Sequence, residues 1–171
     1  AQHIALSHPE RVRKLVLSRT AASSQGIGGH SVEYIKRLGF NEDASDDELR
    51  QIDPKKVMGM VVSLAVNDRL LGMAAGPILR IFAGRLATEG VRGQFEAILG
   101  HDTLGRLPAI QAPTLVIVGD QDRLIDPASS DVLAGAIPGA KLVKIEGGSH
   151  AFFISKRGRF NSQVLDFLLG S

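Results

Sequence analysis

Two side chains that can move or hold a proton each follow a predicted buried strand. The apolar, β-branched run 114–118 stops at Gly119 and leads directly to Asp122. The run 141–145 leads through a pair of glycines to His150. An aspartate that orients a histidine makes up two thirds of the Ser-His-Asp arrangement used in nucleophilic catalysis. The sequence therefore predicts an acid and a base at one site, and it leaves open the position of a nucleophile.

Parallel strands joined by helices are the elements that can position these two side chains. Uninterrupted apolar runs such as 114–118 are typical of strands buried on both faces of a parallel sheet. A helix over 127–134, with Asp126 as its N-cap, connects the two runs. Since the carboxyl ends of parallel strands lie at one edge of a sheet, we expect Asp122 and His150 to share that edge. The predicted fold class is α/β.

The two ends of the chain each carry a predicted helix. Ala1, Ile4 and Ala5 have the spacing of one helix face, and a proline at position 9 ends that helix. A further buried strand follows at 14–18. Because parallel βα units begin with strands, a helix leading into this strand indicates that another strand precedes it.

The closing helix, over 159–169, is amphipathic and places on one face Phe160, Val164, Phe167 and Leu168.

The middle of the chain is predicted to be a helical insertion between two strands of one sheet. A polar loop over 21–30 is followed by helical patterns, without any alternating strand pattern, at 31–38, 45–52, 54–71, 77–86 and 91–99. The second of these begins with a capping box, formed by Ser45 and Glu48. The expected organisation is a core at 1–20, a helical cap insertion at 21–100, and a second core part at 101–171.

Composition and charge narrow the classes of function. The 171 residues carry a formal net charge of +2 with dispersed lysines and arginines, which predicts no nucleic-acid partner. The absence of cysteine excludes disulfides, thiolate metal sites and a cysteine nucleophile. No apolar run is long enough to cross a bilayer and no signal-peptide pattern is visible, so a cytoplasmic enzyme without a membrane partner is expected. We expect no metal and no other cofactor.

Other acids and histidines compete for these roles. Asp120 and Asp126 flank Asp122 and can supply the acid instead, although Asp126 is better placed as a helix cap. The remaining histidines, which we interpret as surface or packing residues, are His3, His8, His30 and His101. His3 and His8 are five residues apart, which is the wrong spacing for a metal-binding pair on one helix face.

Four segments of the sequence, in this order and spacing, resemble the C-terminal part of α/β-hydrolase-fold proteins. They are 1–17 (the helix after the nucleophile elbow and the next strand), 107–122 (the acid strand), 137–150 (the histidine strand and loop) and 160–168 (the last helix). The resemblance implies a partial α/β-hydrolase fold with an inserted helical cap. It also implies that Asp122 is the acid holding the catalytic histidine, and that His150 is the general base.

The sequence departs from this family at the nucleophile. The family serine lies in a G-x-S-x-G motif at a sharp turn from strand to helix, and no complete copy occurs in these residues. The nearest match, Gly147-Gly148-Ser149-His150-Ala151, lacks the final glycine. If Ser149 were the nucleophile, its neighbour His150 would belong to the nucleophile motif and would not be available as the base that the rest of the pattern needs. By the match, the serine and the oxyanion-hole donors belong upstream of Ala1.

The resemblance implies a C-terminal fragment of a serine hydrolase that cleaves an ester, lactone or similar bond of a small molecule. This chain alone is then expected to be inactive. The strand at 14–18 would be an exposed sheet edge, which predicts a complementing N-terminal segment or self-association across that edge. The alternatives are a non-catalytic binding module that reuses the fold, a haloalkane or epoxide hydrolase, and a perhydrolase-type relative.

Overall fold

The computed structural model describes residues 1–23, 93, 97 and 100–170. Its described strands form one parallel sheet in the order β1-β2-β3, with β1 at Leu15–Ser18, β2 at Thr114–Gly119 and β3 at Lys141–Ile145. The helices that it describes from end to end are α1 at Gln2–Ser7, α2 at Pro127–Ala136, α3 at Phe152–Ser155 and α4 at Arg157–Leu169. Short 3₁₀ turns cover Pro9–Arg11 and Leu104–Ala109. The predicted α/β class with parallel strands is confirmed.

Most of the predicted helical middle lies outside the described residues. Residues 93 and 97, which are helical, are the described positions within the helices predicted over 31–99, and the capping box at 45–48 is also outside. None of the helices in the described ranges is long and apolar enough to cross a membrane. The division into core and cap therefore stays a prediction.

The central strand β2 is buried along its whole length, as its apolar run predicts. It pairs in parallel with β1 on one side, where Leu17 lies opposite Val116, and with β3 on the other, where Val143 lies opposite Ile117. The third strand differs from the second, because Ile145 is its one buried residue and its two lysines are exposed. Among the described strands β3 lies at an edge, and this position explains its polar residues.

The alternating side chains of β2 divide the core into two clusters, one on each face of the sheet. Val116 joins Leu17 and residues of α1, α2 and the 104–109 turn. Leu115 and Ile117 join Phe152 of α3, and α4 packs against this second cluster. Each large apolar side chain removed from water in this way contributes about 1.5–3 kcal/mol to stability. Both faces of the sheet are thus covered by helices close to the strand ends that carry the polar residues.

The predicted apolar face of α1 is correct only for Ala5, which is buried. Ala1 is exposed and Ile4 is 56% exposed, whereas the polar side chain of Gln2 is buried. The reason is a set of hydrogen bonds to distant parts of the chain: Gln2 Nε2 donates to the Ala21 carbonyl at 2.9 Å, and Gln2 Oε1 accepts from the Thr103 hydroxyl. Helical spacing identifies apolar residues but does not reveal which side of the helix these partners occupy.

The closing helix α4 is longer than predicted and its apolar stripe is narrower. Phe160, Val164 and Phe167 pack against the second core cluster, but Leu168 is 43% exposed. At about 100° per residue, Leu168 lies roughly 80° from Phe160 around the helix, beyond the edge of the buried stripe. The short helix α3, which contributes the fully buried Phe152, was not predicted from the sequence.

The described residues next to positions 23 and 102 lie beside each other. Ser23 and Asp102 form an isolated antiparallel bridge, and the Thr103 N–H donates to the Ala22 carbonyl at 2.8 Å. These contacts lie close to the predicted domain boundaries. The two described ends of the segment therefore meet at one place in the structure.

Candidate active site

Asp122 is held in a tight turn at the carboxyl end of β2. Its backbone N–H donates to the Gly119 carbonyl at 3.2 Å, and its side chain is completely buried. Oδ1 accepts from the N–H groups of Leu124 and Ile125 at 2.9 and 3.0 Å. Two backbone donors therefore fix one carboxylate oxygen and leave the other, Oδ2, for a side-chain partner.

His150 lies in the loop that follows β3. The loop turns at Gly147, whose φ is +63°, and it is joined to the end of β2 where the Gln121 N–H donates to the Gly148 carbonyl at 2.9 Å. His150 Nδ1 lies 2.8 Å from Asp122 Oδ2, and the His150 side chain is 18% exposed. The structure thus brings together the two residues that the sequence predicts for one site.

This contact determines which nitrogen of the imidazole can act as a base. An ionised carboxylate only accepts hydrogen bonds, so Nδ1 carries the proton that is donated to Asp122. In a neutral imidazole the lone pair then lies on Nε2. A histidine oriented in this way can take a proton from a hydroxyl group and hold the resulting charge beside the carboxylate. The catalytic roles of both residues remain predictions.

The rival acids are placed differently. Asp120 is exposed, and the side chain of Asp126 accepts from the Ala128 N–H at 2.9 Å, so the predicted N-cap of α2 is confirmed. Of these three acids, Asp122 is the one whose carboxylate contacts His150 in the described part of the chain.

Ser149 lacks the backbone of a nucleophile elbow. An elbow holds its serine at a strained turn with the hydroxyl exposed, but Ser149 is only 8% exposed. The positive φ in this loop belongs to Gly147, and within the described ranges Arg19 is the sole non-glycine residue with a positive φ. The buried position and ordinary backbone of Ser149 favour a structural role.

The other described histidines lie outside this pair. His3 Nε2 is 3.2 Å from His101 Nδ1, and His101 Nε2 is 3.1 Å from the Ala21 carbonyl. His8 lies 3.9 Å from the Glu10 carboxylate at the surface, and His30 is outside the described residues. No group of three metal-ligating side chains occurs in the part of the chain that the structure describes.

Arg19 is a residue of this edge that sequence reasoning missed. Its Nη1 donates to the His150 carbonyl at 3.3 Å, and its guanidinium lies 4.2 Å from the centroid of the Phe153 ring. Burial lowers the pKa of Arg19, and the nearby Asp122 carboxylate opposes part of that shift. The available signal was its position directly after a predicted parallel strand, which places it at the same edge as Asp122.

Comparison with known proteins gives the same fold. Residues 1–157 match the alpha/beta hydrolase fold family. A poly(3-hydroxyalkanoate) depolymerase of Ectopseudomonas oleovorans is 31% identical over 172 aligned residues, covering 98% of this chain and 56% of the depolymerase. The solved structure of an enol-lactonase from Burkholderia xenovorans LB400 aligns with a TM-score of 0.73 and 26% identity, over 98% of this chain and 60% of the lactonase. A hydrolase from Pseudomonas aeruginosa aligns equally well, with a TM-score of 0.73, 26% identity and coverage of 99% and 60%.

The chain belongs to the α/β-hydrolase fold family. The three relatives named above are hydrolases, and the chain spans between 56% and 60% of their length.

Proposed function

We propose that this chain supplies the acid and the base of a serine-type hydrolase that cleaves an ester or lactone bond of a small molecule. The observation that carries the proposal is the 2.8 Å contact between His150 Nδ1 and the buried Asp122 Oδ2. The membership of the fold family and the kinds of relative, a polyester depolymerase and an enol-lactonase, support this class of bond.

The nucleophile in this proposal is a serine carried upstream of Ala1. Support comes from the missing G-x-S-x-G motif and from the relatives, whose sequences extend well beyond the part that this chain matches. The strand β1 is the described neighbour of β2 on the side away from His150. An elbow strand beside β1 would bring its serine to the same carboxyl edge as Asp122 and His150.

The mechanism follows from the tautomer that Asp122 imposes. His150 Nε2 takes the proton of the serine hydroxyl as the oxygen attacks the carbonyl carbon, and a tetrahedral oxyanion forms. His150 then gives this proton to the leaving alkoxide, which departs as an alcohol and leaves an acyl-enzyme. A water molecule attacks the acyl carbon, with His150 again as the base, and releases the acid and the free serine. Asp122 stabilises the imidazolium in both steps.

The test is hydrolysis of p-nitrophenyl esters and a lactone panel by the natural polypeptide that contains residues 1–171. We expect Asp122→Asn and His150→Gln each to lower kcat by about 10⁴-fold, because both changes remove the correctly oriented base. Asp120→Asn is the matched control, since it removes an exposed carboxylate two residues away and is expected to keep activity. Equal losses in Asp120→Asn and Asp122→Asn contradict the assignment.

A second comparison tests whether the nucleophile is a serine upstream of Ala1 or Ser149. Residues 1–171 alone are expected to show no turnover of these esters. Robust hydrolysis by this segment that is lost in Ser149→Ala would overturn the proposed nucleophile. A natural polypeptide that binds these compounds but hydrolyses none, with or without Asp122→Asn, would instead indicate a binding module.

A further inference from the structure

Arg19 combines a strained backbone with a position at the candidate site. Its φ of 52° lies in the left-handed region, which side chains other than glycine rarely adopt. Such strain is concentrated at functional sites, where surrounding contacts hold it. Arg19 directly follows β1, and its N–H donates to the Ile117 carbonyl of β2 at 3.3 Å. The strained residue therefore lies at the sheet edge where Asp122 and His150 meet.

The side chain of Arg19 reaches from the first strand of the sheet to the loop after the third. The strand β2 separates β1 from β3, yet Arg19 Nη1 donates to the His150 carbonyl at 3.3 Å. The same guanidinium covers the ring of Phe153 at 4.2 Å from its centroid. One planar cation thus contacts both ends of the segment 150–153, which begins with the candidate base.

These contacts are made at a cost to the folded state. Arg19 is partly buried, and its Nε is fully buried without a hydrogen-bond partner among the described residues. A buried donor without a partner destabilises a fold. The attraction of the Asp122 carboxylate offsets part of the cost of burying the charge. These costs favour a role for Arg19 at the candidate site over a role in stability alone.

We propose that Arg19 is a positioning residue that holds the segment 150–153 against the end of β2, so that His150 keeps its hydrogen bond to Asp122. Without the guanidinium, the histidine segment loses the support that reaches it from β1, and the imidazole samples other orientations. The proposal rests on the proposed function for its catalytic consequence, but the geometry it concerns can be measured without any substrate.

The test compares Arg19→Ala, Arg19→Lys and Arg13→Ala in the natural polypeptide that contains residues 1–171. Arg13 is exposed and precedes the same strand, so Arg13→Ala removes an equal charge without touching the site. The first readout is the NMR resonance of the His150 Nδ1 proton, assigned by its absence in His150→Gln. We expect a protected resonance in the wild type and in Arg13→Ala, and a resonance broadened or lost by faster solvent exchange in Arg19→Ala.

The second readout is the kinetics of ester hydrolysis. We expect kcat of Arg19→Ala to fall by about 10- to 100-fold with little change in KM. The reason is that a loosely held base slows the chemical step but leaves substrate binding unchanged. Arg19→Lys keeps the charge but not the planar fork, so it should recover part of the loss. A purely structural role would lower the melting temperature and leave kcat per folded molecule unchanged.

Each result decides one of the two proposals. A folded Arg19→Ala protein that matches Arg13→Ala in both readouts overturns the positioning role. If Arg19→Ala does not fold, Arg19→Lys and Phe153→Leu replace it, and unchanged proton resonances and rates in both variants overturn the role in the same way. A wild type that hydrolyses no ester or lactone contradicts the proposed function, while the proton resonance still decides the role of Arg19.

Discussion

Gly119 at the end of β2 and Gly148 in the histidine loop are in direct backbone contact. A Cβ on Gly148 would lie 2.9 Å from the Gly119 Cα, and a Cβ on Gly119 would overlap the Gly148 carbonyl and approach the Ser149 carbonyl oxygen to 2.8 Å. The acid and histidine loops therefore meet through a pair of glycines, with no room for a side chain between them. This contact brings the backbone segments that carry Asp122 and His150 close together.

Gly119→Ala is expected to displace the histidine loop. The new methyl group meets backbone atoms, which cannot rotate away, and such overpacking costs about 1–3 kcal/mol of folding stability. The control is Gly135→Ala, because a Cβ at Gly135 in α2 meets nothing within 4 Å and should stabilise the helix by about 0.5–1 kcal/mol. Urea denaturation measures both values. A Gly119→Ala protein with unchanged stability and an intact His150 Nδ1 proton resonance would contradict the tight contact.

Lys14 joins the start of β1 to the end of the closing helix. Its ammonium donates to the carbonyls of Phe167 at 2.9 Å and Leu168 at 3.1 Å, and also to that of Gly170. These carbonyls belong to the last turn of α4 and the residue after it, where a cation compensates the helix dipole. Lys14 thus provides a polar connection between the first described strand, β1, and the last described helix, α4.

We expect Lys14→Met to lower the free energy of unfolding by about 1 kcal/mol, because the helix end loses its charged donor. Added salt at about 1 M should shrink this difference, since the charge–dipole attraction is partly exposed and screened. Lys141→Met on β3 is the control, because Lys141 is exposed and such surface changes stay within about 0.5 kcal/mol. Equal effects of the two substitutions in urea denaturation would contradict the capping role.

Gln2 connects α1 to both ends of the segment between residues 23 and 102. Its amide donates to the Ala21 carbonyl at 2.9 Å and accepts from the Thr103 hydroxyl, and the side chain is only 3% exposed. Gln2→Leu should cost about 0.5–1.5 kcal/mol, the net worth of a typical hydrogen bond, because the Ala21 carbonyl still has His101 and the Thr103 hydroxyl still has the Ala22 carbonyl as a partner. Ile4→Ala on the same helix is the control, since Ile4 is 56% exposed. A smaller loss in Gln2→Leu than in Ile4→Ala, measured by thermal unfolding, would show that this network does not anchor the helix.

The parts of the site that could be predicted are those that depend on local pattern and strand order. The apolar run of β2 and the polar residues after it place Asp122 at a sheet edge, and a neighbouring parallel strand delivers His150 to that edge. The cap at Asp126 is predictable for the same reason, because its partner, the Ala128 N–H, lies two residues away.

The parts that were missed depend on contacts between residues far apart in the sequence. Gln2 is buried because of Ala21 and Thr103, and no helical periodicity contains that information. Arg19 contacts the His150 carbonyl 131 residues further along the chain. Its positive φ was not predictable either, because arginine rarely adopts this conformation and the residue type does not indicate it.

The outer edge of β1 predicts how residues 1–171 behave when they are produced alone. The N–H groups of Leu15 and Arg19 point toward β2, where they donate to Pro113 and Ile117. Since successive residues of a strand alternate in direction, the N–H groups of Val16 and Ser18 point to the other side, where the described residues supply no strand. An unpaired edge of this kind can pair with a second strand.

We expect light scattering to show species larger than the 18.2 kDa monomer for this segment, and the natural polypeptide to show less association if an upstream strand covers β1. Ser18→Pro should weaken the association, because it removes one outward N–H and none of the bonds to β2, and proline is tolerated at strand edges. A monodisperse monomer of residues 1–171 that unfolds cooperatively would contradict the prediction. That result would mean that the edge of β1 is protected within these residues.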